Sequence, residues 1–448
     1  MKNFLKSFLL ISAISSILIG NAYSQEISPK LIGQNFWLAD GDEGRVGYLH
    51  KLWDKVEASG VKIVRIGGNG YQNNFPDRHK LNAMVDSVFR IGAVPLIQIP
   101  STYTELQTKE LVEYYTRLYS KKIEYWCIGN EPMLHNRHTI EQIHEYILRI
   151  ATAFKEVAPN AKLYIFDEAS FKPAEYGRLV GGDLDLAGKK VNGSWLIDGL
   201  TFHNYPNGPD YKRDDVIFYG SDKMRKQIVE MKDVLNKANS KFNRKGNEAL
   251  TWGLTEFNVT YVNPNREISG FGNPSFLAGQ FMAEVFGMGM EYEAEFMNPW
   301  CINEVDVVRT DFGFLGFPVE FYPRSTYWHM QLISKYFKGS YVATSEKEDY
   351  LKVFAAKNGD GLVIMLMNQS DKNDMYISLT GKGHKSKKSK KHKTSVSIDS
   401  GNTRISELID LPSQTTQVYV FNTNGELISK VEYSVNDNLK NGEPRVLK

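Results

Sequence analysis

The stretch IEYWCIGNEP, residues 123–132, decides how the rest of the chain reads. It is a short run of aromatic and β-branched residues that stops at Gly129-Asn130-Glu131-Pro132. On either side, residues 105–121 and 139–157 carry apolar residues at three- and four-residue spacing, the mark of amphipathic helices. An apolar run without clean alternation, set between two helices, reads as a parallel strand covered on both faces. Working outward, the same unit recurs. Before it come LIGQNFWL (31–38), VKIVRIGG (61–68) and AVPLIQIP (93–100). After it come KLYIFDEAS (162–170), LIDGLTFHNYP (196–206), LTWGLTEFNVT (250–260) and YEAEFMNPW (292–300). Further helical patterns lie at 48–59, 79–91, 223–238, 275–288 and 325–337. Eight strands alternating with helices, in roughly 250–400 residues, is what a (β/α)8 barrel requires. An open doubly wound sheet has no reason to stop at eight. Nor does a Gly-x-Gly-x-x-Gly follow the first strand, and the Arg65–Gly70 run RIGGNG is not one.

After residue 337 the helical rhythm stops. YLKVFAAK (350–357), GLVIMLMN (361–368), MYISLT (375–380), TSVSID (394–399) and TQVYVFN (416–422) read as strands between turn residues. Asn358-Gly359-Asp360-Gly361 is a hairpin signal. The expected architecture is α/β: a (β/α)8 TIM barrel over 25–337, then a smaller C-terminal antiparallel β-sandwich over 338–435. A polar, frayed tail at 436–448 is expected to follow.

The 448 residues are 42% hydrophobic and 24% charged, enough apolar material for two such units. Lys and Arg number 54 against 52 Asp and Glu, a formal charge of +2, which argues against nucleic acid as a partner. Two cysteines, Cys127 and Cys301, exclude a disulfide scaffold and a cysteine-based metal site. They fall on strands four and eight, on opposite sides of a closed barrel, so both should be free thiols.

Residues 1–24 begin with Lys2 and Lys6, continue with an apolar run over 8–19 and end in Ala22-Tyr23-Ser24. That is the pattern of a cleavable secretory signal peptide, too short to be a span, and it predicts a secreted or periplasmic protein. No other stretch is apolar enough to span a membrane. Without the signal, 52 basic residues face 52 acidic ones. The run KGHKSKKSKKHK (382–393) holds seven lysines and two histidines without an acid, which leaves the remainder at −7. Such a run reads as a solvated loop; attraction to an acidic polymer or cell surface is the other reading.

In barrels of this kind the reacting groups stand at the carboxyl ends of the strands. The fourth strand ends in Glu131 and the seventh in Glu256, within Thr255-Glu256-Phe257-Asn258. Two carboxylates facing one cavity suit glycoside hydrolysis, in which one protonates the leaving oxygen and the other attacks the anomeric carbon or activates water. Either glutamate alone is readily a turn residue; the pair at strands four and seven is harder to assign to chance. Asp167 and Glu168 at the end of strand five, and Glu295 within strand eight, are competing acids of lower rank. Asp167 or Glu168 would bind sugar hydroxyls or tune a neighbour.

Trp126-Cys127-Ile128-Gly129-Asn130-Glu131-Pro132 resembles the strand-four signature of clan A of the retaining glycoside hydrolases. The resemblance covers roughly residues 31–337 and implies a (β/α)8 barrel, with an accessory sandwich recurring in several member families. It makes Glu131 the acid/base and Glu256 the nucleophile. Asn130 would hold the sugar 2-hydroxyl, and Arg65 would bond the nucleophile. His203 and Tyr205 match the strand-six polar cluster. Trp300 would floor the subsite where the ring reacts. The physics agrees: Arg65 or a Tyr205 donor beside a carboxylate lowers its pKa, as a nucleophile needs, while Glu131 must stay protonated near neutral pH. Trp300 offers a flat apolar face to a pyranose. The run after strand two, residues 67–74, is richer in glycine and amides than the best-known clan members. It reads either as a source of backbone and amide donors to sugar hydroxyls, Asn69 among them, or as a simple turn.

The expected function is a secreted retaining glycoside hydrolase that cleaves β-linked poly- or oligosaccharide, endo-acting, with no cofactor and no metal. Long loops at 171–195, 206–220, 261–274 and 301–323 carry Tyr176, Tyr211, Phe218, Tyr261, Phe271, Phe312, Phe314 and Phe317, which would wall a cleft for several sugar rings. A catalytically silent carbohydrate-binding barrel is the alternative. A metal-dependent barrel hydrolase would want paired histidines at strand ends, and only His203 qualifies.

Overall fold

The computed structural model describes residues 25–36, 52–120, 122–262, 265–304, 311–316, 321–359, 361–385, 387 and 389–448. The signal peptide, Trp37 and Leu38 of the first strand run, the start of the 48–59 helix and Phe317 lie outside the described residues. No helix among the described residues is long and apolar enough to cross a membrane.

Eight parallel strands form one sheet in chain order: β1 Gly33–Phe36, β2 Ile63–Ile66, β3 Val94–Ile99, β4 Tyr125–Ile128, β5 Lys162–Glu168, β6 Gly199–Asn204, β7 Thr251–Phe257 and β8 Phe296–Met297. The last strand is shorter than the apolar run suggested. It nonetheless closes the barrel through the parallel bridge Ile32↔Met297 and the bond from Met297 N to Leu31 O (2.9 Å). Helices α1 Trp53–Ala58, α2 Asn69–Asn73, α3 Arg78–Arg90, α4 Glu105–Leu118, α5 Ile140–Val157, α6 Pro173–Leu179, α7 Ser221–Lys241, α8 Phe276–Glu291 and α9 Ser325–Tyr336 join the strands. Thr104 and Thr139 start α4 and α5 with capping boxes, each side chain bonding the third backbone N–H while Gln107 or Gln142 reaches back.

Strand alternation separates two apolar zones from one polar zone. Outward residues such as Val64, Trp126 and Trp252 pack under the helices. Inward residues Ile63, Leu96, Tyr125, Cys127, Tyr164 and Phe296 fill the lower barrel. One step further along the strands, Asn35, Arg65 and Gln98 also point inward and are wholly buried. The upper barrel is therefore polar, and buried polar groups must find partners there. Both cysteines are free and buried.

The sandwich consists of β9 Ser340–Val342, β10 Thr344–Ser345, β11 Leu351–Asn358, β12 Gly361–Asn368, β13 Met375–Gly381, β14 Thr394–Ile398, β15 Ser406–Leu411, β16 Thr415–Phe421, β17 Leu427–Ser434 and β18 Arg445–Val446. A six-stranded sheet (β9-β11-β12-β16-β17-β18) lies against the barrel and a four-stranded one (β10-β14-β13-β15) lies outside it. Alternation on β11 and β12 is decisive. Phe354, Ala356, Val363 and Met365 join the barrel core, whereas Val353, Ala355, Ile364 and Leu366 face Ile377, Leu379 and Ile409 of the outer sheet. Helix α8 lies between barrel and sheet, so nearly all of its residues are buried.

The barrel and the C-terminal sandwich are as expected, the sandwich antiparallel except for the parallel pair β13 and β14. One expectation is corrected here. The segment 436–448 is not frayed: it begins within α10 Val435–Leu439, capped by Ser434, and continues into β18, which pairs with β17.

Candidate active site

Glu131 stands just beyond β4. Gly129 at φ +72° and Glu131 at φ +44° turn the chain sharply, and Glu131 N donates to Asp167 O at 2.7 Å, so the side chain is aimed over the barrel. Glu256 lies within β7, paired with His203 of β6 where the register slips between Phe202 and His203. A second irregularity lies between Ile165 and Glu168 of β5, with Phe166 at φ +63°, and it re-aims Asp167 into the barrel. One carboxylate oxygen each of Glu131 and Glu256 and a ring nitrogen of His203 all lie within 4.8 Å of one another. The two glutamates are nearly buried, 8% and 6% exposed, and they face the same space.

Arg65 is the hub. Its Nη1 donates to Glu256 Oε1 (2.7 Å) and Asn35 Oδ1 (3.0 Å); its Nη2 donates to Asp167 Oδ2 (2.6 Å), Asn130 Oδ1 (2.6 Å) and Gln98 Oε1 (3.2 Å). Tyr205 Oη donates to Glu256 Oε2 at 3.0 Å. Asn69 Nδ2 donates to Glu131 Oε2 at 2.9 Å, and the exposed Arg137 holds the other end of that amide through Oδ1 at 3.0 Å. Asn130 Nδ2 is buried and makes no hydrogen bond among the described residues. The Trp300 ring covers Gly68 so closely that a Cβ at position 68 would meet it at 2.7 Å and lie 3.9 Å from Glu256 Oε1. Every residue singled out for the site is thus drawn into one cluster.

His203 contributes more than the sequence suggested. Its Nδ1 lies 3.1 Å from Glu131 Oε1 and 3.5 Å from Glu256 Oε2, and its Nε2 lies 3.3 Å from Asp167 Oδ1. Burial alone would lower its pKa, but Glu256, Asp167 and Glu131 outweigh burial and push it up to about 10. The imidazole is therefore a buried cation at neutral pH. Burial likewise works to raise the Asp167 carboxyl, yet Arg65, His203 and the Thr255 hydroxyl hold it well below the usual carboxylate range.

The two glutamates shift in directions opposite to those expected. Burial raises Glu131, but its bonds from His203 and Asn69 outweigh that and lower it. Burial raises Glu256 and Glu131 adds to it, so His203 and Arg65 do not bring it down to the ordinary value. The reason is geometric: the imidazolium donates to Glu131, the residue expected to be protonated, and Arg65 divides its charge between Glu256 and Asp167.

Asp167 was ranked below the glutamates, yet it is the carboxylate that ties Arg65 to His203. Glu168 and Glu295 have other partners. Glu168 accepts from Met133 N (2.8 Å) and Lys172, fixing the loop that carries Glu131, while Glu295 accepts from Tyr125 and Lys162. The aromatic loops are mostly packing. Tyr176, Tyr211 and Phe314 are buried, and Phe218 and Phe271 pack onto the core. Tyr261 is 54% exposed, and Phe312 is half-buried against the Tyr205 ring at 5.6 Å. Glu131, His203 and Glu256 are also spaced to hold a metal ion. A ligating histidine must be neutral, however, and here the ring is flanked by three carboxylates, with Arg65 already on Glu256 and Asp167.

No family model and no curated protein sequence matches the chain. Solved structures do resemble it. The GH51 arabinofuranosidase from Xanthomonas axonopodis pv. citri superposes with TM-score 0.64 at 13% identity, over 89% of this chain and 96% of that one. The α-L-arabinofuranosidase from Thermotoga maritima gives 0.59 at 14% identity, over 91% and 95%. A Paenibacillus polymyxa xyloglucanase from glycoside hydrolase family 44 gives 0.55 at 13% identity, over 89% and 97%. The likeness is one of fold. It extends through barrel and sandwich together, the architecture expected from the strand-four resemblance.

Proposed function

We propose that the protein is a retaining glycoside hydrolase with Glu256 as nucleophile and Glu131 as acid/base. The observation that carries this reading is the approach of the two carboxylates within 4.8 Å at the ends of β4 and β7, the short spacing that a covalent glycosyl-enzyme requires. Glu256 would attack the anomeric carbon while Arg65 and Tyr205 fix both of its oxygens. Glu131 would protonate the leaving oxygen and, once Glu256 is esterified, deprotonate water. The unpaired Asn130 Nδ2 suits a sugar hydroxyl beside the anomeric carbon, and Trp300 and Phe312 supply ring faces.

Proton count matters here. Two cations, Arg65 and His203, face three carboxylates, so one further proton neutralises the cluster. Glu131 and Glu256 share that proton and titrate as a pair. The reactive form puts it on Glu131, which leaves Glu256 ionised.

The finer reading is a secreted enzyme that acts on β-linked poly- or oligosaccharide, with endo action. The export-like N-terminal sequence and the exposed Tyr261 beyond β7 support it. Neighbours of the same fold include arabinofuranosidases and a xyloglucanase, a spread of substrates that leaves the sugar to experiment. The test is hydrolysis of a panel of β-linked polysaccharides by wild type, Glu131→Ala and Glu256→Ala. Both variants should lose activity, and azide should rescue Glu256→Ala on an activated β-glycoside to give the α-glycosyl azide. Unchanged turnover in either variant removes that residue from its role.

A further inference from the structure

The lysine-rich run is unused by the chemistry above, and the fold gives it a definite place. Parallel neighbours cannot be joined by a tight turn, so the chain must return along the sheet between β13 and β14. That return is residues 382–393. Its described residues Lys387 and Lys391 lie on the outward face of the outer sheet. Lys387 N donates to Ser406 Oγ (3.0 Å), and Lys387 Nζ pairs with Glu407 (3.3 Å). Lys391 Nζ pairs with Asp410 (2.6 Å) and covers the Tyr376 ring at 4.1 Å. Alternation sends Ile377 and Ile409 into the sandwich core, so Tyr376 and Asp410 face away from the barrel. Lys385, Lys390 and Lys393 are exposed and have no ion-pair partner among the described residues. The described part of the run is thus a cationic strap pinned to the outer sheet at Lys387 and Lys391, on a chain whose remaining charge from residue 25 onward is −7.

A second cation stands at the mouth. Arg137 lies in the loop after β4, exposed, with no acid at ion-pair distance among the described residues. It touches Asn69, whose amide touches Glu131. An anionic substituent taken out of water at this rim needs a cation beside it, and Arg137 is placed to supply one.

We infer that the polymer this protein binds is an anionic polysaccharide, carboxylated or sulfated. The strap holds the chain on the sandwich, and Arg137 meets an anionic substituent on the leaving-group side of Glu131. The Arg137 half rests on the glycosidase reading; the strap half does not.

The strap is tested by affinity electrophoresis in gels containing polygalacturonate, dextran sulfate or neutral dextran. Wild type and the triple variant Lys385→Glu/Lys390→Glu/Lys393→Glu are compared, with equal melting temperatures as the check on folding. Wild type should be retarded by at least one anionic polymer and not by neutral dextran. Retardation should fade as salt approaches about 1 M, where the screening length is about 3 Å. The triple variant should bind at least about tenfold more weakly, a loss of about 1.4 kcal/mol. Whichever polymer retards wild type identifies carboxylate or sulfate as the group read. No retardation by either, equal retardation of the variant, or equal binding to DNA and to anionic vesicles would overturn the strap. Arg137→Ala should raise KM on the anionic polymer about tenfold more than on a neutral substrate; an equal change on both would overturn its role. Retention needs no hydrolysis, so Glu256→Ala should be retarded like wild type, and loss of the glycosidase reading alone would leave that result standing.

Discussion

His203 at the barrel mouth and His329 at the junction between barrel and sandwich are both wholly buried, yet their surroundings drive them apart. His329, on α9, lies 2.8 Å from Ser325 O through Nδ1 and 2.8 Å from Thr416 Oγ1 through Nε2, between the rings of Phe276 and Tyr433. Nδ1–H donates and Nε2 accepts, so the ring is neutral, and burial lowers its pKa to about 4 despite the bond to Ser325. His203 meets the same burial but faces three carboxylates and is pushed up to about 10. One imidazole joins two domains; the other belongs to a charge cluster assembled where strands end. The difference teaches that the upper barrel is organised for charge and the junction for adhesion. Substitutions should separate accordingly, into losses of rate and losses of stability.

The largest effect is expected at the mouth. Glu131→Gln should lower kcat by about 10²–10⁴-fold, the usual contribution of a general acid–base, and Glu256→Gln by more. Neither should lower the melting temperature appreciably, because each removes a carboxylate from a cluster that has one in excess. A loss of stability matching the loss of rate would erase the distinction between the two regions.

Next comes pH. His329 is neutral in the native state down to about pH 4 but takes a proton near 6.5 once unfolded. The unfolded state therefore binds more protons in that window, and stability falls as pH drops from about 6.5 to about 4, by on the order of 2–3 kcal/mol. His203 has the opposite sign. Its contribution is complete below about 6.5 and is lost as pH rises through about 10. Chemical denaturation across pH should show both limbs, with His329→Gln flattening the acid one. An unchanged acid limb in that variant would show that other groups set it.

Asp167→Asn sharpens the comparison from the other side. It keeps the shape of the residue and removes the carboxylate that faces His203 Nε2 and Arg65 Nη2. The His203 ring signals in a ¹H–¹⁵N spectrum should titrate well below about 10, closer to the ordinary 6.5. The rate kcat should fall roughly 10–100-fold, about 1.4–3 kcal/mol, with KM less affected. A ring that still titrates near 10 would show that Glu131 and Glu256 suffice to keep it charged. The smallest effect is expected for Thr416→Val, which removes one hydrogen bond to His329 and should lower stability by about 1 kcal/mol without touching activity.

Much of this was legible in the sequence because it depends on local rules. The barrel strands announced themselves as apolar runs between helical patterns, and a (β/α)8 barrel places strand ends at the mouth. That located Glu131 and Glu256 at the mouth; the strand-four resemblance added Arg65, His203 and Tyr205, and the glycine- and amide-rich run after strand two added Asn69. What escaped depends on geometry that spacing does not encode. The bulge at Phe166 turns Asp167 inward, and a register slip beside Phe202 lets His203 reach both glutamates; hence the charges that set the two glutamates against each other were not legible in spacing. Aromatic residues in long loops look alike whether buried, like Tyr176, or exposed, like Tyr261. The parallel pairing of β13 with β14 and the docking of residues 436–448 arise from long-range contacts. Largely polar strands such as β15, at a sheet edge, and β17 carry little apolar signal of their own.

The most direct measurement follows the anomeric configuration of the first product by ¹H NMR, once the polysaccharide panel supplies a substrate. One oxygen of each carboxylate lies within 4.8 Å of the other, a close approach that favours direct attack by Glu256 over attack by water. A β-linked substrate should therefore release β-product first, with the α-anomer appearing only at the rate of mutarotation. Immediate release of α-product would mean single displacement by water and would contradict the role given to Glu256.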